Sequence, residues 1–189
     1  NNITDKIQFL SSTKIGNMKN NLENVSLALA EISPEHISIY EEAFPPEERR
    51  PREAMRPADK AFRFYNISSS RRSVAGLLTA WDFGTFTYIE HFAVDPSLRG
   101  GGIGASALEC LSCPLLIEVE PPETGDTARR RIAFYRRQGF RLLDYPYIQP
   151  PYTPELPSVE LRLMVRGDIG IAVAEAVRLL HTRVYGQKE

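Results

Sequence analysis

The chain has 189 residues, enough for a single domain with a sizeable buried core. Its 23 basic and 24 acidic residues nearly cancel, at a net charge of −1, which excludes the broad basic field that bulk nucleic acid or an anionic membrane would require. No apolar run reaches bilayer-spanning length and no signal-peptide pattern is visible, so a reducing, cytoplasmic setting is expected, with Cys110 and Cys113 as ordinary thiols.

In chain order, residues 1–24 are polar and Asn-rich and read as an N-terminal extension. Val25–Ile32 alternates like a strand and ends at Ser33-Pro34, a helix cap with Pro in the first turn. The helix from Pro34 is expected to show Ile37, Tyr40 and Phe44 on one face and to stop at Pro45-Pro46. Phe44 to Pro51 is dense in charge and proline; it reads as a solvated loop, or else as one wall of a cleft. Phe62–Ile67 and Val74–Phe83 are strands joined by a polar turn, and Tyr88–Val94 is a third. Asp95 to Leu98 is a turn, after which Arg99 and four glycines lead into a helix where Ile103, Ala107 and Leu111 recur every four residues. Pro114–Glu120 is a strand closed by two prolines, and Ala128–Gln138 is an Arg-rich helix capped by Gly139. Arg141–Tyr147 and Val159–Val165 pair around a Pro/Tyr-rich loop, and Asp168–Tyr185 is a last amphipathic helix. The order implies an α+β fold with a mixed sheet and helices on its faces. Its central join, strand–turn–glycine helix–strand, is a right-handed crossover if the two strands are parallel.

Four glycines at a helix start are costly unless something must approach the backbone. The first N–H groups of a helix have no intrahelical partner and sit at the positive end of its dipole, so glycines there let a phosphate reach them. Arg99 adds a forked, permanently charged donor. A P-loop is excluded because no Lys follows the glycines. Gly102-x-Gly104-x-x-Ala107 formally fits a dinucleotide fingerprint, but five residues separate it from the strand. On the strand after the glycine helix, Glu118 and Glu120 should share a face with Leu116. Two carboxylates there fit a general base with a raised pKa, or an edge strand with a wet face, or a Glu–Arg pair with Arg129 or Arg130. Phe134, Tyr135, Gly139 and Phe140 fit either packing with a C-cap or a site.

A third phosphate pattern, Arg99-x-x-Gly102-x-Gly104 after Ala-Val-Asp-Pro, resembles the acetyl-CoA signature of the GNAT N-acetyltransferases. The block from Ile132 to Phe140 resembles the family's second signature, and the two stand in the family's order around the Leu-Ile-Glu-Val-Glu strand. The resemblance is strong over 74–147; it implies the GNAT fold over 25–166, with a C-terminal helix over 167–189 packed on it. It implies acetyl-CoA as cofactor, held by Arg99 and the backbone of Gly100, Gly101, Gly102, Ile103, Gly104 and Ala105. The pantetheine would lie along Phe92, Ala93 and Val94 as an added strand does, with an oxyanion donor near Val94. Among family members the arrangement is most similar to the N-terminal ribosomal-protein acetyltransferases, which puts Glu118 in the place of the base and Tyr135 in that of the acid, with Glu90 in reserve. The Asn that often opens the Tyr helix is Ala128 here. No metal is implied. The expected partner is a small-molecule or peptide amine, contacted by Tyr145, Tyr147 and Tyr152 unless these only pack the loop; a homodimer is admitted. The competing functions are a non-catalytic acyl-CoA sensor and a nucleotide-dependent oxidoreductase.

Overall fold

A computed structural model describes residues 24–112 and 114–188. The expected N-terminal extension therefore lies outside the described residues except for Asn24, as does Cys113. The elements are β1 (Ser26–Leu29), α1 (Pro34–Ala43), β2 (Phe62–Ser69), β3 (Arg72–Asp82), β4 (Thr87–Val94) and α2 (Ile103–Glu109). They continue with β5 (Leu115–Val119), α3 (Asp126–Arg137), β6 (Arg141–Leu142), β7 (Tyr147–Gln149), β8 (Val159–Arg166) and α4 (Val173–Leu179). The sheet order is β1-β2-β3-β4-β5-β8-β6, with β7 also on β8. Among the described residues β4 and β5 are the one parallel pair, joined by the crossover helix α2, whereas β1 and β2 are antiparallel although α1 lies between them.

Alternation along the strands sorts the core into two layers. Leu78 and Ala80 of β3, Ile89 of β4 and Ile117 and Val119 of β5 pack with Ile103 and Ala107 of α2 and Ile132 and Tyr135 of α3. On the other face, Trp81, Tyr88, Leu116 and Leu163 pack with Ala176 of α4 and with Leu180, Val184 and Tyr185. Leu77 and Ala93 meet Ile39 and Tyr40 of α1 on that same side, since Leu77 has the parity of Trp81.

Several boundaries differ from the sequence expectation. The buried residues of α1 are His36, Ile39 and Tyr40, not Ile37 and Phe44; Phe44 is the C-cap residue and is already extended. His36 is turned inward because its Nδ1 accepts from the Ser33 N–H, closing a capping box, while Nε2 meets Asn66 Oδ1 at 2.9 Å. The strand expected over 141–147 is two short ones, β6 and β7, separated by an irregular stretch. The last helix starts five residues late because Gly167 (φ 84°) and Gly170 (φ 72°) take left-handed conformations that a helix does not admit. After Leu179 it loosens into a π turn over Leu180–Val184.

Candidate active site

Parallel pairing between β4 and β5 covers only Thr87 with Leu115, Tyr88 with Leu116, and Ile89 with Ile117. Beyond that point the strands part, and a cleft of about 1090 Å³ opens between them. Residues of both core layers line it: Phe134 and Tyr135 from the α2–α3 side, Glu118, Tyr152 and Leu161 from the α4 side. The cleft thus passes through the sheet, and its two ends differ in chemistry.

One end is the glycine turn. Asp95 accepts from the Ser97 N–H and meets Arg72 at 2.5 Å, fixing the 3₁₀ turn Pro96–Leu98. Gly100 (φ 84°) and Gly102 (φ 83°) both need the left-handed region, and Gly102 is the N-cap of α2. The Ser106 N–H donates to the Gly102 carbonyl, so by helix geometry the N–H groups of Ile103, Gly104 and Ala105 have no partner within the helix. Arg99 donates from Nε to the Val94 carbonyl at 3.0 Å, and Arg130 and Arg137 of α3 line the same stretch. Of the ten cofactor positions expected from the sequence, every one lines the cleft except Gly101, which is exposed on the turn. Beside them, β4 from Glu90 to Val94 has no strand partner on its β5 side among the described residues.

The other end holds the carboxylates. Glu118 leaves β5 on the Leu116 side and accepts from the hydroxyls of Tyr147 and, at 2.8 Å, Tyr185; Tyr185 in turn meets the Tyr88 hydroxyl at 3.0 Å. Burial pushes its pKa up to about 7, against the pull of these tyrosine hydrogen bonds and with a smaller push from Glu90. A carboxylate has about four lone-pair sites, so two donors leave it free to accept another proton.

Glu90 is placed quite differently. Thr79 pairs with His91 and Ala80 with Ile89, so Glu90 is the extra residue of a β-bulge. The bulge turns two consecutive side chains to one face: Glu90 accepts from Trp81 Nε1 at 2.8 Å, while His91 meets Tyr40 at 3.0 Å and Thr79 at 3.1 Å. Glu90 also accepts from Arg50 Nε at 2.6 Å and the Tyr152 hydroxyl at 2.8 Å, with none of its side chain exposed. Burial raises its pKa, but Arg50 above all outweighs that and holds the group below the ordinary carboxylate range. The reserve candidate is therefore an ion-paired carboxylate.

Glu120 does not share Glu118's face. β5 ends at Val119, and the Glu120 carboxylate pairs at 2.5 Å with Arg131 of α3, in the opposite layer. Tyr135 lines the cleft on the α3 side with its ring between Phe134 and Phe140, and burial pushes its hydroxyl up to about 12. Of the loop tyrosines, Tyr147 reaches Glu118 and Tyr152 reaches Glu90, while Tyr145 packs against the core. Ala128 is buried rather than lining the cleft. The segment over 44–51 is a wall, not a solvated loop: Phe44 and Glu48 line the cleft, and Arg50 is only 10% exposed at its side chain. Arg50, Gln149 and Tyr185 were not legible as site residues.

The family model for GNAT acetyltransferases matches residues 29–140, well over half of the chain. This chain belongs to the GNAT acetyltransferase family. The acetyltransferase is 39% identical to a protein from Bacteroides thetaiotaomicron assigned to the same family, over 82% of this chain and 92% of that one, at a TM-score of 0.74. The ribosomal-protein-S18-alanine N-acetyltransferase from Escherichia coli shares the fold at 17% identity, over 78% and 96% of the chains, with a TM-score of 0.50. A GNAT acetyltransferase from Elizabethkingia anophelis, solved with acetyl-CoA bound, overlaps more slightly, at 16% identity over 57% and 77% of the chains and a TM-score of 0.40. No curated protein matches the sequence significantly. Acetyl-CoA is the cofactor of this family, and the residues present fit it: a Cβ-free helix start, flanking arginines and an open strand edge.

Proposed function

We propose that this acetyltransferase moves the acetyl group of acetyl-CoA to a primary amine by direct attack across the parted strands, with Glu118 as general base and Tyr135 as general acid. The supporting observation is the cleft itself, which crosses the sheet between a carboxylate with a pKa near 7 on one face and a fully protonated tyrosine on the other. The backbone N–H groups from Gly100 to Ala105, with Arg99, hold the pyrophosphate. The edge of β4 at Phe92 to Val94 holds the pantetheine arm as a neighbouring strand would.

Glu118 then takes one proton from the acceptor's ammonium, directly or through water. The freed nitrogen attacks the thioester carbon, and a backbone donor of β4 meets the developing oxyanion. The C–N bond forms and the C–S bond breaks; Tyr135 donates its proton to the departing thiolate, and the second proton that the nitrogen sheds on becoming an amide returns through water to the phenolate. Glu90 is not a proton acceptor in this scheme, because Arg50 keeps it ionised and occupied. It positions Tyr152 at the cleft wall.

Thiol release from acetyl-CoA in the presence of a panel of amines tests the reading, alongside calorimetric titration with coenzyme A. Amine-dependent release and a loss of affinity in Gly102→Val support it, since valine cannot take the φ of 83° without strain. Coenzyme A binding without release for any amine would overturn the catalytic assignment.

A further inference from the structure

Arg50 does more than neutralise Glu90. Its side chain is nearly buried, and each part of the guanidinium meets a different group. Nε donates to Glu90 at 2.6 Å, Nη2 donates to the Val184 carbonyl at 2.6 Å, and the planar face lies over the rings of Tyr152 at 4.8 Å and Trp81 at 5.5 Å. The Arg50 backbone N–H donates to the Tyr40 hydroxyl at 2.9 Å, so the segment that carries it is itself pinned to α1. Charge balance for Glu90 does not require the bond to Val184, which the acetyl-transfer scheme leaves without work.

Val184 is the last residue of the π turn that follows α4. The final carbonyls of a helix have no partner within it and sit at the negative end of its dipole, where a cation satisfies them. The Val184 carbonyl belongs to the peptide group that begins Tyr185. The Tyr185 N–H donates to the Leu180 carbonyl at 3.1 Å, its ring packs on Tyr152 with centroids 5.1 Å apart, and its hydroxyl donates to Glu118 at 2.8 Å. Arg50 therefore touches both supports of Tyr185, the peptide before it and the ring beside it. A forked, planar cation can do this while still holding a carboxylate; a point charge cannot.

We propose that Arg50 is a positioning residue for the base: by binding the Val184 carbonyl it holds the Tyr185 hydroxyl on Glu118. This rests on Glu118 acting as the base in acetyl transfer. Glu118 faces Tyr147 of β7, Tyr88 and Glu90 of β4, Tyr152 of the loop before β8, and Tyr185; none of these carries a positive charge. The hydroxyls of Tyr147, Tyr185 and Tyr88 are what favour its ionised form, so losing one keeps the carboxyl protonated to higher pH.

The test follows Glu118 in two ways, by NMR titration of its carboxyl carbon and by the acidic limb of kcat against pH. Both are measured in Arg50→Met/Glu90→Gln, with Tyr185 present and with Tyr185→Phe. The paired substitution removes both charges together, so none is stranded and their through-space effects on Glu118 oppose each other. With Tyr185 present, titration and limb should both rise by about one pH unit from about 7, with coenzyme A affinity unchanged. Tyr185→Phe alone should give the same rise, and adding the paired substitution to it should add less than about 0.3 unit. No movement with Tyr185 present, or an equal further rise without it, would overturn the proposal. If the paired variant folds poorly, Arg50→Lys carries the comparison, since its ammonium keeps a charge opposite Glu90 without the fork. A carboxyl titration that moves while the limb stays put strikes the acetyl-transfer reading of Glu118, and the catalytic role of Arg50 falls with it.

Discussion

Two carboxylates on neighbouring parallel strands face the same layer of this protein, and their surroundings send them opposite ways. Glu90 meets a guanidinium, an indole N–H and a phenol; Glu118 meets phenols only. The cation decides. A full positive charge at 2.6 Å offsets the cost of burial, so Glu90 stays ionised. Neutral hydroxyls offset only part of it, so Glu118 titrates near neutrality, where a base can both take up and release a proton. Burial alone does not make a base; burial without a counter-charge does.

The largest expected effect comes from removing the titrating member. Glu118→Gln should lower kcat by about 10²–10⁴ while coenzyme A affinity holds, and should erase the acidic limb that wild type shows near pH 7. Tyr135→Phe should cost a similar factor without touching that limb, since it removes a proton donor and keeps the packed ring. If Glu90→Gln abolished turnover with coenzyme A affinity and stability unchanged, and Glu118→Gln did nothing, the two roles would be exchanged.

Breaking the paired member should instead show in stability. Arg50→Met leaves the Glu90 charge buried and alone, at a cost of about 3–5 kcal/mol by chemical denaturation. Adding Glu90→Gln should recover much of that loss, because without carrying charge the amide oxygen still accepts from Trp81 and the amide NH2 can donate to the Tyr152 hydroxyl oxygen. No recovery would mean that Arg50 acts through its packing against Trp81 and Tyr152.

A finer change tunes Glu118 without removing it. The tyrosine hydrogen bonds stabilise its charged form, so Tyr147→Phe should move the acidic limb upward by about one pH unit. The same group also ties stability to pH. Its folded pKa of about 7 exceeds the ordinary 4.5, so between those values the native state binds the proton more tightly than the unfolded chain. Raising pH through that window therefore lowers stability, and Glu118→Gln should flatten the slope in a pH series of denaturation curves. Least affected should be Glu120→Gln, below about threefold in kcat, because its pair with Arg131 is partly solvated.

What the sequence made legible was local. The β4 turn and glycine helix are specified by residues within a few positions of one another, and strand alternation placed Glu118 beside Leu116. The same alternation failed one pleat later, because a strand that ends at Val119 imposes no parity on Glu120. Arg50 escaped because its partners stand 40 and 134 residues away, and a charged, proline-rich segment looks the same in sequence whether water or a carboxylate receives it. Gln149 gave no signal at all. One polar residue among Pro and Tyr has no periodicity to mark it, and its unpartnered nitrogen exists only once β7 has closed on β8.

The three-tyrosine surround of Glu118 also has a consequence for the order in which the protein comes into being. Tyr185 and the Val184 carbonyl that receives Arg50 are synthesised after every strand of the sheet. The glycine turn and the α3 residues that line its cleft are complete by position 138. At about 5–20 residues per second, a translating ribosome adds the remaining stretch to Tyr185 some 2–10 s later. During that interval the residues of the glycine turn already exist while the phenol that helps set the proton affinity of Glu118 does not, so the surroundings of this carboxylate are the last part of the cleft to be made.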